Sequence, residues 1–280
     1  MDMVSLLKQM QRSAIRLTIG GTAHTRVGAS RFGGVPDVPE DFNWPVFETA
    51  SFDDDEVKAR PLAFLAQINC AEAATLAPDE FLPQTGILSF FYELGSQRWG
   101  FDPADAGCAR VFWFEDVDAL KPAMVPDALP EDFCLPALDV CMQSEASLPG
   151  WEDFAAAYPD TGDWEAFDAL RSSLGCEWPA NRSALLGWPD VIQNSMTFEC
   201  EMVSRGHYLG GGSQGLPEAD AAYAKTHSLE DWQLLFQLDT VSSGSFELMF
   251  GDCGRIYFYI RREDLKERRF DRVWLILQCG

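Results

Sequence analysis

The chain has 280 residues, 47% of them hydrophobic and including 20 Phe and 9 Trp, so it folds around a sizeable core and is not disordered. Its formal net charge is −23, and residues 33–250 alone carry −29 because both flanking segments are net basic. This charge repels phosphates and anionic lipids, which argues against nucleic-acid and membrane binding. It leaves two interpretations, simple solubility or attraction of a basic partner.

The cysteine and histidine content argues against a metal centre or a disulfide framework. Eight cysteines occur without a C-x-x-C pair, at positions Cys70, Cys108, Cys134, Cys141, Cys176, Cys200, Cys253 and Cys279. Several end apolar runs, which is typical of small core residues in a reducing compartment. With three histidines and no H-E-x-x-H motif, the sequence predicts no transition-metal site, and it indicates no cofactor.

The N-terminus predicts a short amphipathic helix that Asp2 caps. Its apolar positions approximate helical spacing, at Val4, Leu7, Met10 and Ile15. Basic residues interrupt this pattern, so we expect neither a signal peptide nor a membrane span, and the cytoplasm is the expected location. A strand is predicted to begin at residues 16–19.

The next segment combines Arg31 with the paired glycines Gly33 and Gly34. Paired glycines allow positive φ angles and close backbone approach. Arg31 beside them has two interpretations: it binds a carboxylate or phosphate, or it pairs with a local acid and fixes the loop. Neither G-x-G-x-x-G nor a P-loop pattern is present, so nucleotide binding has little support. Residues 48–58 are polar and acidic and predict a solvated loop.

Three buried strands follow, at residues 61–69, 87–92 and 110–114, because each is a short apolar run bounded by polar or turn residues. Residues 115–184 change in character. Prolines and acids punctuate this segment, which predicts a connector lying across the surface with two helices, at 150–158 and 163–174.

The last third predicts further strands with one short helix. At 196–203, Glu199 and Glu201 alternate with apolar residues, as in a half-exposed strand. Residues 206–215 contain five glycines and act either as a lid or as a plain connector. A helix is predicted at 217–225. Strands follow at 231–239, 256–260 and 273–278.

Four blocks of the first third recur in the same order in the last third, at offsets of 153, 170, 168 and 162 residues. This order favours duplication of an ancestral half over convergent strand composition. We therefore predict a single domain over 1–280 with half-repeats at about 31–114 and 185–277. The fold class is α+β, with mixed or mainly antiparallel sheets and a few short helices.

Each repeat contains one glutamine in its central strand, Gln67 and Gln237. A buried amide needs about three partners. Each glutamine therefore either ties a loop to a strand end or faces a cleft shared by the two units. The residues predicted for such a cleft are Arg31, Gly33, Gly34, Gln67, Gln193, Gln237 and Asp252.

Nucleophilic catalysis has only a weak signal in this sequence. His207 is available in the glycine-rich loop, with Cys200 or Cys253 as its thiol partner. Asp252 beside Cys253 raises a thiol pKa, which is the wrong direction for a nucleophile. No catalytic residue is predicted.

Several motifs together resemble one family. They are Ser30-Arg31-Phe32-Gly33-Gly34-Val35-Pro36, Asn43-Trp44-Pro45, Pro61-Leu62-Ala63-Phe64-Leu65-Ala66-Gln67-Ile68-Asn69, Leu82-Pro83-Gln84-Thr85-Gly86, Leu186-Gly187-Trp188-Pro189-Asp190, Trp232-Gln233-Leu234-Leu235-Phe236-Gln237-Leu238-Asp239 and Gly251-Asp252-Cys253-Gly254. The combination is similar to the YwqG-like family, a bacterial domain of unknown function, over about residues 25–279. The resemblance implies an α+β fold of cytosolic type and carries over no catalytic residue.

Three functional hypotheses follow from these patterns. The first is a non-enzymatic binding protein whose acidic surface engages a basic protein partner, for example in a toxin-neutralising or accessory role. The second is an enzyme or small-ligand binder that acts in a cleft between the two units. The third is a structural homo-oligomer, and the sequence leaves the oligomeric state open.

Overall fold

The computed structural model describes residues 2–23, 26–78, 81–174 and 182–280. Its helices are α1 Met3–Gln9, α2 Cys70–Leu76, α3 Trp151–Ala157, α4 Trp164–Ser173, α5 Thr197–Ser204, α6 Glu218–Asp231 and α7 Arg262–Lys266. Its strands are β1 Arg12–Gly20, β2 Arg31–Phe32, β3 Asp37–Val38, β4 Val46–Ser51, β5 Asp54–Pro61, β6 Ala63–Asn69, β7 Ile87–Tyr92, β8 Ala109–Phe114, β9 Lys121–Pro122, β10 Leu138–Ser147, β11 Ala184–Leu186, β12 Trp232–Leu238, β13 Val241–Ser243, β14 Phe246–Leu248, β15 Arg255–Arg261 and β16 Trp274–Gln278.

A ten-stranded antiparallel sheet organises the molecule, in the order β16-β15-β12-β11-β1-β10-β2-β6-β7-β8. The sheet curls until it is nearly barrel-shaped. Phe90 on β7 and Phe236 on β12 are six strands apart, yet their ring centroids lie 4.5 Å from each other. Such a contact requires the inner faces of the two sheet ends to pack together, and this packing forms the main core.

The centre of the sheet is the long pair β1–β10, whose register runs from Arg12 opposite Ser147 to Gly20 opposite Asp139. Four strands extend from each side of this pair, β2-β6-β7-β8 on one side and β11-β12-β15-β16 on the other. Both sets contain one register shift at corresponding places. It falls between Phe64 and Ala66 in β6, and between Leu234 and Phe236 in β12. The two halves of the sheet thus have the same strand order and the same irregularity.

Different elements cover the outer faces of the two halves. Helix α5 places Met196 and Cys200 against the outer side of β12, β15 and β16. On the other half, Phe42 and Trp44 pack over Phe64 and Phe91. The strands β6, β7, β12 and β15 are therefore buried on both faces, which explains their continuous apolar sequences.

Several sequence predictions are confirmed. Asp2 caps α1, since its Oδ1 accepts the backbone N–H of Ser5 at 2.8 Å. The helix ends at Gln9, however, so Ile15 lies on β1 and not on the helix as predicted. Helices α3 and α4 lie within the two predicted segments. Helix α6 is longer than predicted and extends to Asp231.

The prediction of a strand at 196–203 is wrong, because these residues form α5. The strand prediction assumed that Glu199 and Glu201 both face water. Glu201 is instead fully buried, where its carboxylate meets Arg205 and Arg261 at 2.6 Å each. The apolar residues Met196, Cys200 and Val203 have helical spacing, which is the pattern that decides the structure.

Two further predictions need correction. Residues 48–58 are not a loop, since they form most of the β4–β5 hairpin, in which Arg60 Nε donates to Thr49 O at 2.8 Å. The prediction of a surface connector at 115–184 is wrong for residues 138–147, which form β10 in the centre of the sheet. Prolines are absent from that ten-residue stretch, so the strand is possible inside an otherwise irregular segment.

Cys176, His24 and connector residues 175–181 lie outside the described residues. The described cysteines are free thiols, and Cys70, Cys108, Cys200 and Cys279 are buried. Within the described ranges, no helix has the length and apolar character that crossing a membrane requires.

Candidate functional site

An open cleft of about 860 Å³ lies between residues 96–105, which follow β7, and residues 194–213, which include α5. The first segment belongs to the half of the sheet that contains Gln67, and the second belongs to the half that contains Gln237. The cleft therefore lies where the two halves meet. Four aromatic side chains line it, Trp99, Phe101, Phe198 and Tyr208.

The 96–105 wall is fixed to the edge strand β16 of the other half. The backbone N–H of Leu277 donates to Trp99 O at 3.0 Å, and Trp274 Nε1 donates to Gly100 O at 2.9 Å. Gly100 has φ of +82°, and a Cβ at this position would lie 1.8 Å from Leu275 O. Only glycine allows so close an approach in this conformation. The absence of a side chain at residue 100 thus positions the first wall.

The glycine-rich loop forms part of the opposite wall and is anchored on both sides of Tyr208. Leu209 N–H donates to Phe101 O at 2.8 Å, which links the two walls at one end of the cleft. His207 Nε2 lies 2.8 Å from Asp220 Oδ2 on α6. This hydrogen bond with His207 lowers the pKa of the Asp220 carboxyl. Tyr208 itself is 59% exposed, which is unusual for a large aromatic side chain.

Helix α5 positions Glu199 at the cleft. Neighbouring Cys200 is buried against the sheet, where burial raises the pKa of its thiol well above the ordinary value. Cys200 is therefore an inert core thiol, and His207 is bonded to an aspartate. These observations oppose the sequence hypothesis of a Cys200–His207 pair.

Glu199 belongs to a cluster of buried polar groups with unmet hydrogen bonds. Ser195 Oγ donates to Asp153 Oδ1 at 2.6 Å. Asp153 Oδ2, Glu199 Oε2 and Tyr259 Oη have no hydrogen-bond partner among the described residues. Native proteins satisfy most buried polar atoms, so several unmet ones together indicate a functional site or bound water.

Burial also shifts the protonation of this cluster. It raises the pKa of Asp153 to about 6, although the Ser195 hydrogen bond opposes the shift. It raises the pKa of Glu199 to about 7, and the charge of Asp153 adds to the increase. A carboxyl group that titrates near neutral pH can accept a proton or donate one in a binding site. In the described ranges, no group of three or more His, Cys, Asp or Glu side chains is arranged to hold a metal ion.

The predicted residues Arg31, Gly33, Gly34 and Gln67 lie together around Asp37. Arg31 Nη1 is 2.9 Å from Asp37 Oδ2. Gln67 accepts the Asp37 N–H at 2.9 Å and donates to Asp37 Oδ2 at 2.7 Å. Gly33 and Gly34 both have positive φ angles, which turn the chain from β2 into this loop. These contacts use Arg31 and Gln67 to hold the loop.

Gln237 has a corresponding arrangement in the other half. It accepts the backbone N–H of Asp190 at 2.9 Å and donates to Arg182 O. The Asp190 carboxylate pairs with Arg182 and lies 2.7 Å from Arg255 Nη1. The chain turns before Asp190 through Leu186 and Gly187, which both have positive φ angles. Both glutamines are thus bonded to loops of their own half.

The remaining predicted residues lie elsewhere. Gln193 Nε2 donates to Cys279 O at 2.9 Å, next to the end of β16. Asp252 is exposed in the turn before β15, and its carbonyl accepts Gly280 N–H at 2.9 Å. The structure therefore distributes the seven predicted residues over separate positions. Among the described residues that line the cleft, none belongs to the predicted set.

Sequence reasoning did not select Glu199, Asp153, Trp99 or Tyr208. The available signal was partial: the glycine-rich loop that carries Tyr208 was considered as a lid. Asp153 gave no signal, because it is one acid among 44. Its importance follows from its burial, which depends on the packing of α3.

A model of the protein family described as "Domain of unknown function (DUF1963)" matches residues 30–279. The match covers both halves of the sheet and both walls of the cleft. The chain has no match among the curated proteins.

Proposed function

This chain belongs to the family described as "Domain of unknown function (DUF1963)", and from this premise we propose that it is a small-molecule-binding protein. The ligand site is the cleft between the two halves of the sheet. The observation that carries the proposal is the cleft itself, with a volume of about 860 Å³ and walls from both halves. Ligand sites commonly measure about 300–1,000 Å³ and combine aromatic walls with a few polar groups.

The lining supports a binding role more than a catalytic one. Trp99 and Tyr208 are 44% and 59% exposed, so they offer apolar surface that a ligand would cover. Glu199 supplies a buried carboxyl group with an unmet hydrogen bond. No nucleophile adjoins a free base among the described lining residues. A buried carboxyl group with a raised pKa in an aromatic cleft fits recognition of a ligand.

Equilibrium dialysis of the purified protein against a protein-free cell extract, followed by mass spectrometry, tests this function. We expect at least one small molecule to be enriched. The double variant Trp99→Ala/Tyr208→Ala loses the enrichment, because it removes both exposed rings. Trp164→Ala is the matched control, since this exposed tryptophan lies outside the cleft on α4. Enrichment that persists in the double variant, or none in the wild type, contradicts the proposal.

A second candidate function is binding of a basic protein partner. The β4–β5 hairpin carries the observation that favours it: Phe52 and Val57 are 73% and 68% exposed. Exposed acids flank them, at Asp53, Asp55 and Glu56. An apolar surface with an acidic border suits a partner that offers apolar and basic side chains.

A pull-down at low salt tests this candidate with two charge-matched variants. Asp53→Asn/Asp55→Asn/Glu56→Gln changes the hairpin, and Asp127→Asn/Glu131→Gln/Asp132→Asn neutralises three exposed acids elsewhere. We expect a basic partner that is lost at high salt and in the hairpin variant but is kept by the control. Equal loss in both variants indicates only nonspecific charge attraction and rejects the hairpin as the binding surface.

We further propose that the two halves arose by duplication. The matching strand order, the matching register shifts and the matching Gln–Asp bonds support this origin. The backbone N–H groups of Asn69 and Asp239 also have equivalent partners, since they donate to Ser30 Oγ and Ser183 Oγ at 2.9 and 3.1 Å. We also propose the narrower YwqG-like membership and a cytoplasmic location, which the motifs and the free buried thiols favour.

A further inference from the structure

The lining of the cleft contains an acid, Glu199, that has no salt-bridge partner in the part of the chain that the structure describes. Glu199 lines the cleft, and its Oε2 is buried with no hydrogen-bond partner. The nearby Asp153 Oδ2 and Tyr259 Oη are also unpartnered, and both side chains are 1% exposed. Unpaired buried polar groups destabilise a fold, so several of them together indicate a bound ligand or ordered water.

Two arginines and one histidine near α5 are engaged with other partners. Arg205 and Arg261 both lie 2.6 Å from Glu201, two residues after Glu199 on α5. His207 is bonded to an aspartate on α6. Among the described residues, none forms a salt bridge with Glu199. Strand β15 places Tyr259 near Asp153, and α3 places Asp153 near Glu199.

The remaining cations near the cleft are also engaged. Arg98 Nε lies 3.9 Å from Asp105, and its Nη2 donates to a threonine hydroxyl at 2.7 Å. Arg12 lies 3.4 Å above the Trp188 ring, and its charge slightly opposes the raised pKa of Asp153. The lining itself contains the acids Asp102, Asp105 and Glu199 against one arginine. This lining repels anions and attracts cations.

The walls match the same ligand chemistry. Trp99 and Tyr208 expose their rings on opposite sides of the cleft, one from each segment. Aromatic faces attract ammonium and guanidinium groups, most strongly where water is partly excluded. An acid at the floor and aromatic rings at the walls form a combination that recognises an organic cation.

We infer that the ligand of this cleft carries a protonated amine or guanidinium group, and that the Glu199 carboxylate is its counter-ion. This inference rests on the proposed binding function and specifies its ligand class. The cation pairs with the Glu199 carboxylate, and its apolar part packs on Trp99 and Tyr208.

Binding of a cation beside Glu199 depends on pH, and this dependence distinguishes a cation from other ligands. In the free protein burial raises the pKa of Glu199 to about 7, so the carboxyl is largely protonated at pH 6 and largely ionised at pH 8. A bound cation favours the ionised form and releases the proton. Cation affinity therefore rises about tenfold from pH 6 to pH 8. A ligand that accepts a hydrogen bond from protonated Glu199 shows the opposite trend.

Three probes with the same skeleton test the charge preference: 2-phenylethylamine, 2-phenylethanol and phenylacetate. We expect calorimetry with wild-type protein at pH 8 to detect the amine and not the other two, and agmatine to bind as well. Amine affinity falls about tenfold at pH 6. Glu199→Gln abolishes this pH dependence, and Trp164→Ala keeps it.

The outcomes separate the inference from the proposed function. Equal binding of phenylethanol or phenylacetate, or amine binding with the same affinity at both pH values, overturns the inference while the cleft remains a ligand site. The inference is also overturned, and the cleft remains a ligand site, if the Trp99→Ala/Tyr208→Ala variant loses a cell-extract ligand but the wild type binds no amine. If neither the extract nor any probe binds, both proposals fall. The wild-type pH profile decides the matter even if Glu199→Gln fails to fold.

Discussion

Gln67 and Gln237 each accept a hydrogen bond at 2.9 Å from the backbone N–H of an aspartate. Each aspartate lies in a loop of the same half of the sheet as its glutamine. The donors are Asp37 and Asp190, which occupy equivalent places in the two repeated blocks. Both glutamines are at most 2% exposed. The same local solution therefore occurs twice, and it fixes a loop next to a central strand in each half.

Replacing Gln67 by alanine leaves the Asp37 N–H and the Ala29 carbonyl without their partners. Each buried group left unpaired costs about 1–3 kcal/mol, so we expect the free energy of unfolding to fall by at least about 2 kcal/mol. Gln237→Ala is expected to behave alike. Chemical denaturation measures both variants against Gln214→Ala, an exposed control expected to stay within about 0.5 kcal/mol of the wild type. A Gln67→Ala protein as stable as this control contradicts the assigned role.

The Arg31–Asp37 pair predicts a pH-dependent loss of stability. Both side chains are nearly buried, and Arg31→Met leaves the Asp37 charge uncompensated, which costs about 3–5 kcal/mol at pH 7. Burial opposes ionisation of Asp37, but the hydrogen bonds from Arg31 and Gln67 outweigh it and lower the pKa. A lowered folded-state pKa stabilises the protein above about pH 4 and loses this effect as the pH falls further.

The difference between wild type and Arg31→Met is therefore expected to shrink from pH 7 to pH 3. Urea unfolding across this range measures it. Adding Asp37→Asn to Arg31→Met removes the unpaired charge, so the double variant recovers part of the loss at pH 7. A difference that is constant with pH argues that lost packing, and not charge, causes the effect.

We expect Glu199 to make stability depend on pH in the direction opposite to that of Asp37. Its pKa is raised to about 7 in the folded protein, so the folded state binds the proton more tightly than the unfolded state does. Stability is then lost as the pH rises from about 4 to above 7, by roughly 3 kcal/mol for this group. Glu199→Gln removes this penalty and is expected to be more stable than the wild type at pH 8, with the difference vanishing near pH 4.

Urea unfolding at pH 4, 6 and 8 checks this expectation. The control is Glu165→Gln, because Glu165 is exposed on α4 and its substitution is expected to have a small effect at every pH. If Glu199→Gln is equally destabilised at pH 4 and pH 8, Glu199 already has a favourable partner in the folded protein, and the account of the cleft floor is wrong.

We expect the first wall of the cleft to depend on the absence of a side chain at Gly100. Gly100→Ala introduces a Cβ 1.8 Å from Leu275 O, so the loop has to move away from β16 and the bonds of Trp99 and Trp274 break. Gly206→Ala is the matched control, since Gly206 also has positive φ but open space around it. The control pays only the conformational cost, about 1 kcal/mol.

We expect Gly100→Ala to cost more than Gly206→Ala by at least about 2 kcal/mol, because backbone contacts are lost in addition. Hydrogen exchange of the Leu277 amide is expected to accelerate only in Gly100→Ala. Equal protection of this amide in the two variants means that the wall tolerates a side chain at residue 100.

Strong local patterns were enough to predict much of the sheet. The strands around Gln67 and Gln237 follow from short apolar runs between polar boundaries, and the cap at Asp2 follows from side-chain chemistry. The strand prediction at 196–203 failed because a polar side chain is buried there. Glu201 resembled a solvent-facing strand residue, but Arg205, one helical turn later, and the distant Arg261 pair with it and allow its burial in a helix.

By itself, the sequence determined the apolar strands around Gln67 and Gln237 and several of the turns, because apolar periodicity and glycine conformations act over a few residues. Only the tertiary structure decided that β10 crosses the centre of the sheet, that 96–105 docks on β16, and that Asp153 lies near enough to Glu199 to raise its pKa. These relationships join residues distant in sequence. The desolvation that makes Glu199 unusual depends on what packs around it, and no local pattern records that environment.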